Sequence, residues 1–473
     1  MKQALHIFKK DIRHLRWEVG ISLVLMVTFV LVQLRRDFVR HADAAVFSYF
    51  LLAFWAFLCA RLIQSEAIPG DRQFWITRPY EWRSLLAAKL LFMVIIIGLP
   101  LLAADAVILR VEGFSIASHA VGLIWSLILV TAGTLLAFCA FATLTKGLAE
   151  WMLGAIATVG VLYAIAVSSN EGIWAGVEWM REYGYVAIIF IAASAVLLWQ
   201  YKRRGTTAAM VVMAAGWLGS SLFINYSRSA WALELETRFS NAKVDPSPIR
   251  IIARQPKEHA HANLTPGRQQ LVSLAIPLDI SGLGEGMDLI SDGVGIAIKH
   301  GAETLRTRKG WPGSNYLQHL PDGYRLLVQV DRSVLVGGGP VNVVLTLYLT
   351  TVRESASRVI RPGEAADVPG AGRCRNIADE RDSWIVCESP LRAPPNVLVV
   401  ALGAPRERFL NGTSYSPFPA DADSSIIPLG RYSHSGPKDF APATLTSLEP
   451  LAHFRRDVVL SGVYLADYPL THF

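Results

Sequence analysis

Seven apolar runs occupy the first half of the chain: Gly20–Leu34, Val46–Ile63, Leu85–Leu109, Val121–Leu144, Trp151–Val167, Tyr185–Gln200 and Thr206–Ile224. A helix crossing a hydrocarbon core of about 30 Å takes roughly 20 such residues, so each run predicts a membrane helix. The first and sixth are short. The fifth and seventh are rich in Ala and Gly, which lowers hydropathy but lets helix backbones approach closely. From about Ser227 the pattern changes: long apolar runs vanish, and Pro, Gly, Asp and Ser recur at short intervals. Between them, Leu274, Ile276, Leu278 and Ile280 take every second position, as do Val343, Leu345, Leu347 and Leu349. Further strands are predicted at Ile249–Ala253, Tyr324–Val330, Trp384–Glu388, Asn396–Leu402 and Val458–Tyr464, with Gly337-Gly338-Gly339-Pro340 as a turn. Period-two alternation with frequent turn residues indicates β-structure, and packed antiparallel sheets are its usual outcome. The expected architecture is an α-helical polytopic membrane bundle of six or seven transmembrane helices, followed by an all-β, sandwich-like domain. That domain forms one large sandwich or two smaller ones.

Composition sharpens this division. Hydrophobic residues make up 52% of the 473 residues and charged residues 18%, against about a quarter in soluble chains. Positive charge then orients the bundle, because short cytoplasmic loops collect Lys and Arg. With the N-terminus in the cytoplasm, 14 basic residues of the helical half fall inside and 5 outside, the latter including Arg35, Arg36 and Arg40. Seven crossings from that start put the tail outside; six would leave it in the cytoplasm. The first run is followed directly by Gln33-Leu34-Arg35-Arg36 without a small-residue cleavage site, which predicts a retained anchor. Residues 1–224 carry 19 basic and 13 acidic side chains and the tail 26 and 25, so the net charge of +7 reflects membrane topology and gives no basis for nucleic-acid binding.

Candidate chemistry is sparse. The chain has no G-x-x-x-x-G-K-[ST] phosphate loop, no G-x-S-x-G and no H-E-x-x-H, so neither ATP hydrolysis by that route nor another recognisable enzyme activity is expected. His259 and His261 lie between Pro256 and Pro266 without a third ligand at a metal-site spacing, which reads as a solvated loop; no metal and no cofactor are expected. Asp105 lies within the third run near its outer end, where snorkelling or a hydrogen bond would satisfy it. Cys59 and Cys139 fall inside membrane helices as small apolar side chains. Cys374 and Cys387 are an even pair in the tail. Outside the cell they read as a disulfide, contributing about 3 kcal/mol through chain entropy; in a cytoplasmic domain they would be two buried thiols.

The most informative segment is residues 65–84, between the second and third runs. Glu66, Asp71, Arg72, Arg78, Glu81 and Arg83 supply charge, and Phe74, Trp75, Tyr80 and Trp82 supply aromatics that favour a membrane interface. Such a segment can lie along the inner membrane face as a short amphipathic helix, broken by Pro79 before the third membrane helix. An ordinary cytoplasmic loop with anchoring Trp residues is the other reading.

These residues, in the order Glu66, Gly70, Asp71, Arg78-Pro79, Leu85-Leu86 and Lys89-Leu90-Leu91, resemble the ABC-2 type transporter permease family. Phe8-Lys9-Lys10-Asp11-Ile12-Arg13 is similar to that family's entry helix. The resemblance covers about residues 1–204; a seventh run and a β-rich tail of about 250 residues follow where family members usually stop. It implies a cytoplasmic amphipathic entry segment at 1–17 and a coupling loop at 65–84; the pattern of apolar runs and the count of crossings add a transmembrane domain at 18–224 and an extracytoplasmic β-rich domain at 225–473. The resemblance further implies that Glu66, Asp71, Arg72, Phe74, Trp75 and Arg78 dock on a separate ABC ATPase subunit. The expected protein is then a permease-like subunit of an export complex, working as a homo- or heterodimer in a bacterial inner membrane. The alternative is a non-transporting membrane anchor whose β-domain senses or binds.

Overall fold

A computed structural model describes residues 2–34, 41–65, 81–168, 178–226, 231–235, 243–254, 271–300, 303–306, 316–320, 323–331, 339–370, 372–378, 382–391, 397–401, 409–410, 428–437 and 442–468. The helical half opens with α1 (Lys2–His14), followed by α2 (Arg16–Gln33) and α3 (His41–Gln64). Then come α4 (Trp82–Val111), α5 (Ile116–Ala142), α6 (Leu148–Ser168), α7 (Glu178–Arg203) and α8 (Thr206–Tyr226). Among the described residues seven helices, α2 to α8, are long and apolar enough to cross a membrane. Their outward faces carry Val27, Leu153, Ile156, Val159, Ile191 and Val211, all at least 60% exposed. Water does not tolerate so continuous an apolar surface, whereas lipid does. The chain is an integral membrane protein. The helices outrun the apolar runs at several ends: α2 begins at Arg16 and α7 runs from Glu178 to Arg203, because polar residues at the interface continue the helix.

Two membrane helices contain a π turn. In α4 it spans Met93–Gly98, and the Leu99 N–H reaches Val94 O, five residues back. Pro100 follows directly and has no N–H to offer, so the regular ladder breaks at this point. In α5 the turn spans Thr131–Leu135 and contains Gly133, whose missing Cβ lets Val186 of α7 approach.

The C-terminal half consists of sheets. One is four-stranded in the order β1-β2-β6-β5, from β1 (Arg250–Ala253), β2 (Leu271–Ser281), β5 (Tyr316–Leu320) and β6 (Gly323–Asp331). A six-stranded sheet has the order β12-β11-β14-β7-β3-β4, from β3 (Met287–His300), β4 (Glu303–Arg306), β7 (Val341–Ile360), β11 (Val397–Ala401), β12 (Phe409–Leu410) and β14 (Ala443–Val463). The third has the order β13-β10-β9-β8, from β8 (Ala365–Val368), β9 (Gly372–Ala378), β10 (Asp382–Pro390) and β13 (Leu429–Pro437). All pairings are antiparallel. The long strands β7 and β14 serve two cores. Leu345, Leu347 and Leu349 of β7, with Val458 and Leu460 of β14, bury against Leu274, Ile276, Leu326 and Val328 of the first sheet. At the other end of the strand pair, Ile360, Ala443 and Leu445 bury against Val368, Cys374, Ile385 and Cys387 of the third sheet.

The sheets are fastened to each other and to the chain leading into them by polar contacts. Lys243 is ion-paired with Glu449, and Arg456 donates to the carbonyls of Pro246 (2.7 Å) and Ile249 (3.2 Å), which ties the start of the domain to β14. A bulge in β3 leaves Asp292 as the extra residue, where Thr350 and His453 bond around it. Leu345 is fully buried at the centre of the larger core. Leu345→Ala should cost about 2–5 kcal/mol through lost burial and a cavity. Thermal unfolding of the full chain should show a lower β-domain transition, with the helical signal unchanged.

Candidate functional site

The loop residues Glu66, Asp71, Arg72, Phe74, Trp75 and Arg78 lie outside the described residues, as do His259 and His261. The elements at either end of that loop are described, and they place its exit against α1. The pattern of α1 puts Ile7, Phe8 and Asp11 on one face, all buried, and leaves Lys2, His6, Lys9 and Arg13 exposed on the other. The buried face packs on the first turns of α4, where the Phe8 and Phe92 rings meet edge to face with centroids 6.4 Å apart. At the centre of this contact the Lys89 ammonium donates to an Asp11 carboxylate oxygen at 2.8 Å, with both side chains 3% exposed or less. A charge at that depth is tolerated only with its counter-charge in place. The loop's other end is held as well. Gln64, the last residue of α3, donates to Thr145 Oγ1 at 3.0 Å beyond the end of α5, and Arg61 pairs with Glu18 at 3.6 Å. The N-terminal helix, the start of α4 and the ends of α3 and α5 thus form one face, which also holds Ser65 and Glu81, the described residues on either side of 66–80.

A second buried ionic site lies at the opposite end of α4. Glu112 follows the last helical residue, and its side chain is 1% exposed. Arg375 of β9 donates to Glu112 Oε2 at 3.0 Å and to Glu388 of β10 at 3.2 Å. Arg373 donates to the backbone carbonyl of Glu112 at 3.1 Å. A guanidinium at a helix C-terminus also meets the negative end of the helix dipole. Residues 373 and 375 flank Cys374, so alternation along the strand sends both arginines to one face and Cys374 to the other. Cys374 is disulfide-bonded to Cys387, its direct partner across the β9–β10 ladder, inside the smaller core. Gly372 enters β9 at φ +100°, where a Cβ would sit 2.2 Å from the Glu388 carbonyl, so glycine is required there.

Two apolar contacts accompany this site. Leu391 adopts φ +59°, a left-handed conformation that a leucine rarely takes, and it joins Leu429 in the core of the helical bundle. Tyr348 of β7 packs with Met180 of α7 and with Leu233. Among the described residues, these ionic and apolar contacts dock the β-domain on the bundle end opposite α1.

Asp105 departs from the sequence expectation. It lies on the inward face of α4, 6% exposed, and its Oδ1 has no hydrogen-bond partner among the described residues, so it neither snorkels nor is fully bonded. Helical phase decides this: Leu101, Ala104, Asp105 and Ile108 share the buried face. Glu112, Arg373, Arg375 and Glu388 were not singled out in the sequence. A basic-Cys-basic triplet on an alternating strand was the available signal, and it does not name a distant glutamate as partner. No family model, curated protein or solved structure matches this chain.

Replacing Lys89 by Met alone leaves Asp11 buried without its counter-charge and should destabilise the helical domain by about 3–5 kcal/mol. The double variant Asp11→Leu with Lys89→Met should lose much less, as measured by thermal unfolding in detergent. Additive losses would show that the two side chains act independently.

Proposed function

We propose that this chain is the membrane-spanning, permease-like subunit of an ABC-2 type export complex, powered by a separate ATPase subunit. The observation that carries the reading is the buried Asp11–Lys89 pair. It joins two of the segments on which the family resemblance rests, Phe8–Arg13 and Leu85–Leu91, into one unit at the exit of the 65–84 loop. A chain with no nucleotide site needs such a unit if it is to receive work from a partner. The ATPase would engage Glu66, Asp71, Arg72, Phe74, Trp75 and Arg78, and its displacement would reach the bundle through α1 and α4.

The same arrangement supports an orientation. The end of the bundle that carries α1 also holds Lys89, Lys146, Lys202, Arg203 and Arg204, which suits the cytoplasmic face of a bacterial inner membrane. The β-domain then lies outside, where the Cys374–Cys387 disulfide is stable. One bundle of this kind supplies half of a transport path, so the working unit is a homo- or heterodimer. The second reading, a non-transporting sensor acting through the β-domain, draws on the ionic docking of β9–β10 on Glu112, which is more elaborate than a passive tether requires.

The test is affinity purification of the full chain from its native membrane, with co-purifying proteins identified by mass spectrometry. A stoichiometric protein bearing a phosphate-loop motif is the expected result. Replacing Asp71, Arg72 and Arg78 together by Ala should then abolish its recovery without reducing the amount of folded chain. A homo-oligomer with no ATPase, from a preparation in which known complexes survive, would favour the sensor.

A further inference from the structure

We infer that α4 is a mechanical link between the two membrane faces, fastened to α1 by Asp11–Lys89 and to the β-domain by Glu112–Arg375, so that releasing either fastening loosens the other. Three observations carry this. First, both fastenings are charge pairs carried by α4 and the residue that follows it, with Asp11, Lys89 and Glu112 buried and Arg375 partly buried. Lys89 and Asp11 are 1% and 3% exposed, and Glu112 and Arg375 are 1% and 23% exposed. Such pairs behave as closed or open, because a half-separated buried charge has neither its partner nor water. Second, the 23 positions from Lys89 to Glu112 correspond to about 35 Å of helix, which spans a hydrocarbon core of about 30 Å. No loop intervenes, and the π turn at Met93–Gly98 is the interruption along the way. Third, the outer fastening is itself stiff. Arg373 and Arg375 come from β9, which the Cys374–Cys387 disulfide joins to β10 within the four-stranded sheet, and Glu388 braces Arg375 from β10.

Other helices end at the same faces, but the described contacts place an ionic fastening at both ends on α4. α6, by contrast, has almost none of its span fully buried. The link stands on this geometry. Its use, reporting the state of the β-domain to an ATPase or the reverse, rests on the function proposed above.

Coupling between two sites is reciprocal: each must shift the other by the same factor. The experiment is hydrogen exchange with mass spectrometry on the full chain in lipid nanodiscs, with no ATPase present. Peptides covering residues 2–14, 372–378 and 148–168 report the inner fastening, the outer fastening and α6 as a bystander. Glu112→Gln should raise exchange in 2–14 by at least about fivefold, and Asp11→Asn should raise exchange in 372–378 by a similar factor. Exchange in α6 should not change, nor should any of the three segments respond to Arg254→Ala, which removes a surface ion pair with Asp279. Exchange that rises only at the altered end overturns the link, and so does a uniform rise in all three segments. Should Glu112→Gln fail to fold, Arg375→Lys keeps the charge and loses the guanidinium that reaches both Glu112 and Glu388, and a smaller shift in the same two segments is expected. ATPase recovery is scored separately. Two-way coupling in a chain that captures no ATPase removes the permease reading and leaves the link standing.

Discussion

An aspartate and a lysine meet in a protein interior at 2.8 Å where the N-terminal helix crosses the start of the second long membrane hairpin. Neither could remain charged there alone, since removing one partner of a buried pair costs several kcal/mol. The consequence for the fold is positional. α1 cannot float on the membrane surface as a generic amphipathic helix, because Asp11 needs Lys89 and Phe8 needs Phe92. The orientation of α1 in turn fixes where α2 begins, one residue beyond the turn at Leu15. The loop that leaves α3 and returns at α4 is thereby framed on both sides.

The other end of the molecule follows the same logic with different elements. Glu112 stands where a helix runs out of N–H partners for its last carbonyls, and the β-domain supplies two arginines there. The third sheet owes its place to this contact and to Leu391 and Leu429 in the bundle core. The long strands β7 and β14 then join the two β cores, serving the smaller one at one end and the larger one at the other. A domain so mounted is part of the helical bundle's own geometry.

The helices were legible because bilayer thickness imposes a length and a composition that few other structures share. The seven apolar runs fall within or close to the seven spans, with shifts of a few residues at their ends. Strands with clean alternation, such as Val343–Leu349, were equally legible. Strand β3 was not, since Asp288, Asp292, Gly293 and Gly295 interrupt its apolar rhythm, and a bulge there rather than a turn absorbs the irregularity. Strand β9 reads as polar, because its only buried apolar side chain before Ile377 is a half-cystine.

Sequence alone thus determined what each segment must do with solvent: cross lipid, line a sheet, or carry charge at an interface. Those are local requirements, met by composition and period within a window of about 20 residues or fewer. Which charges meet was decided by the tertiary structure. Asp11 and Lys89 are 78 positions apart, and Glu112 and Arg375 are 263 apart. Nothing in either neighbourhood specifies the other. The pairings follow from the packing of helices and sheets that brings them together, and from the cost of burying any of those charges alone.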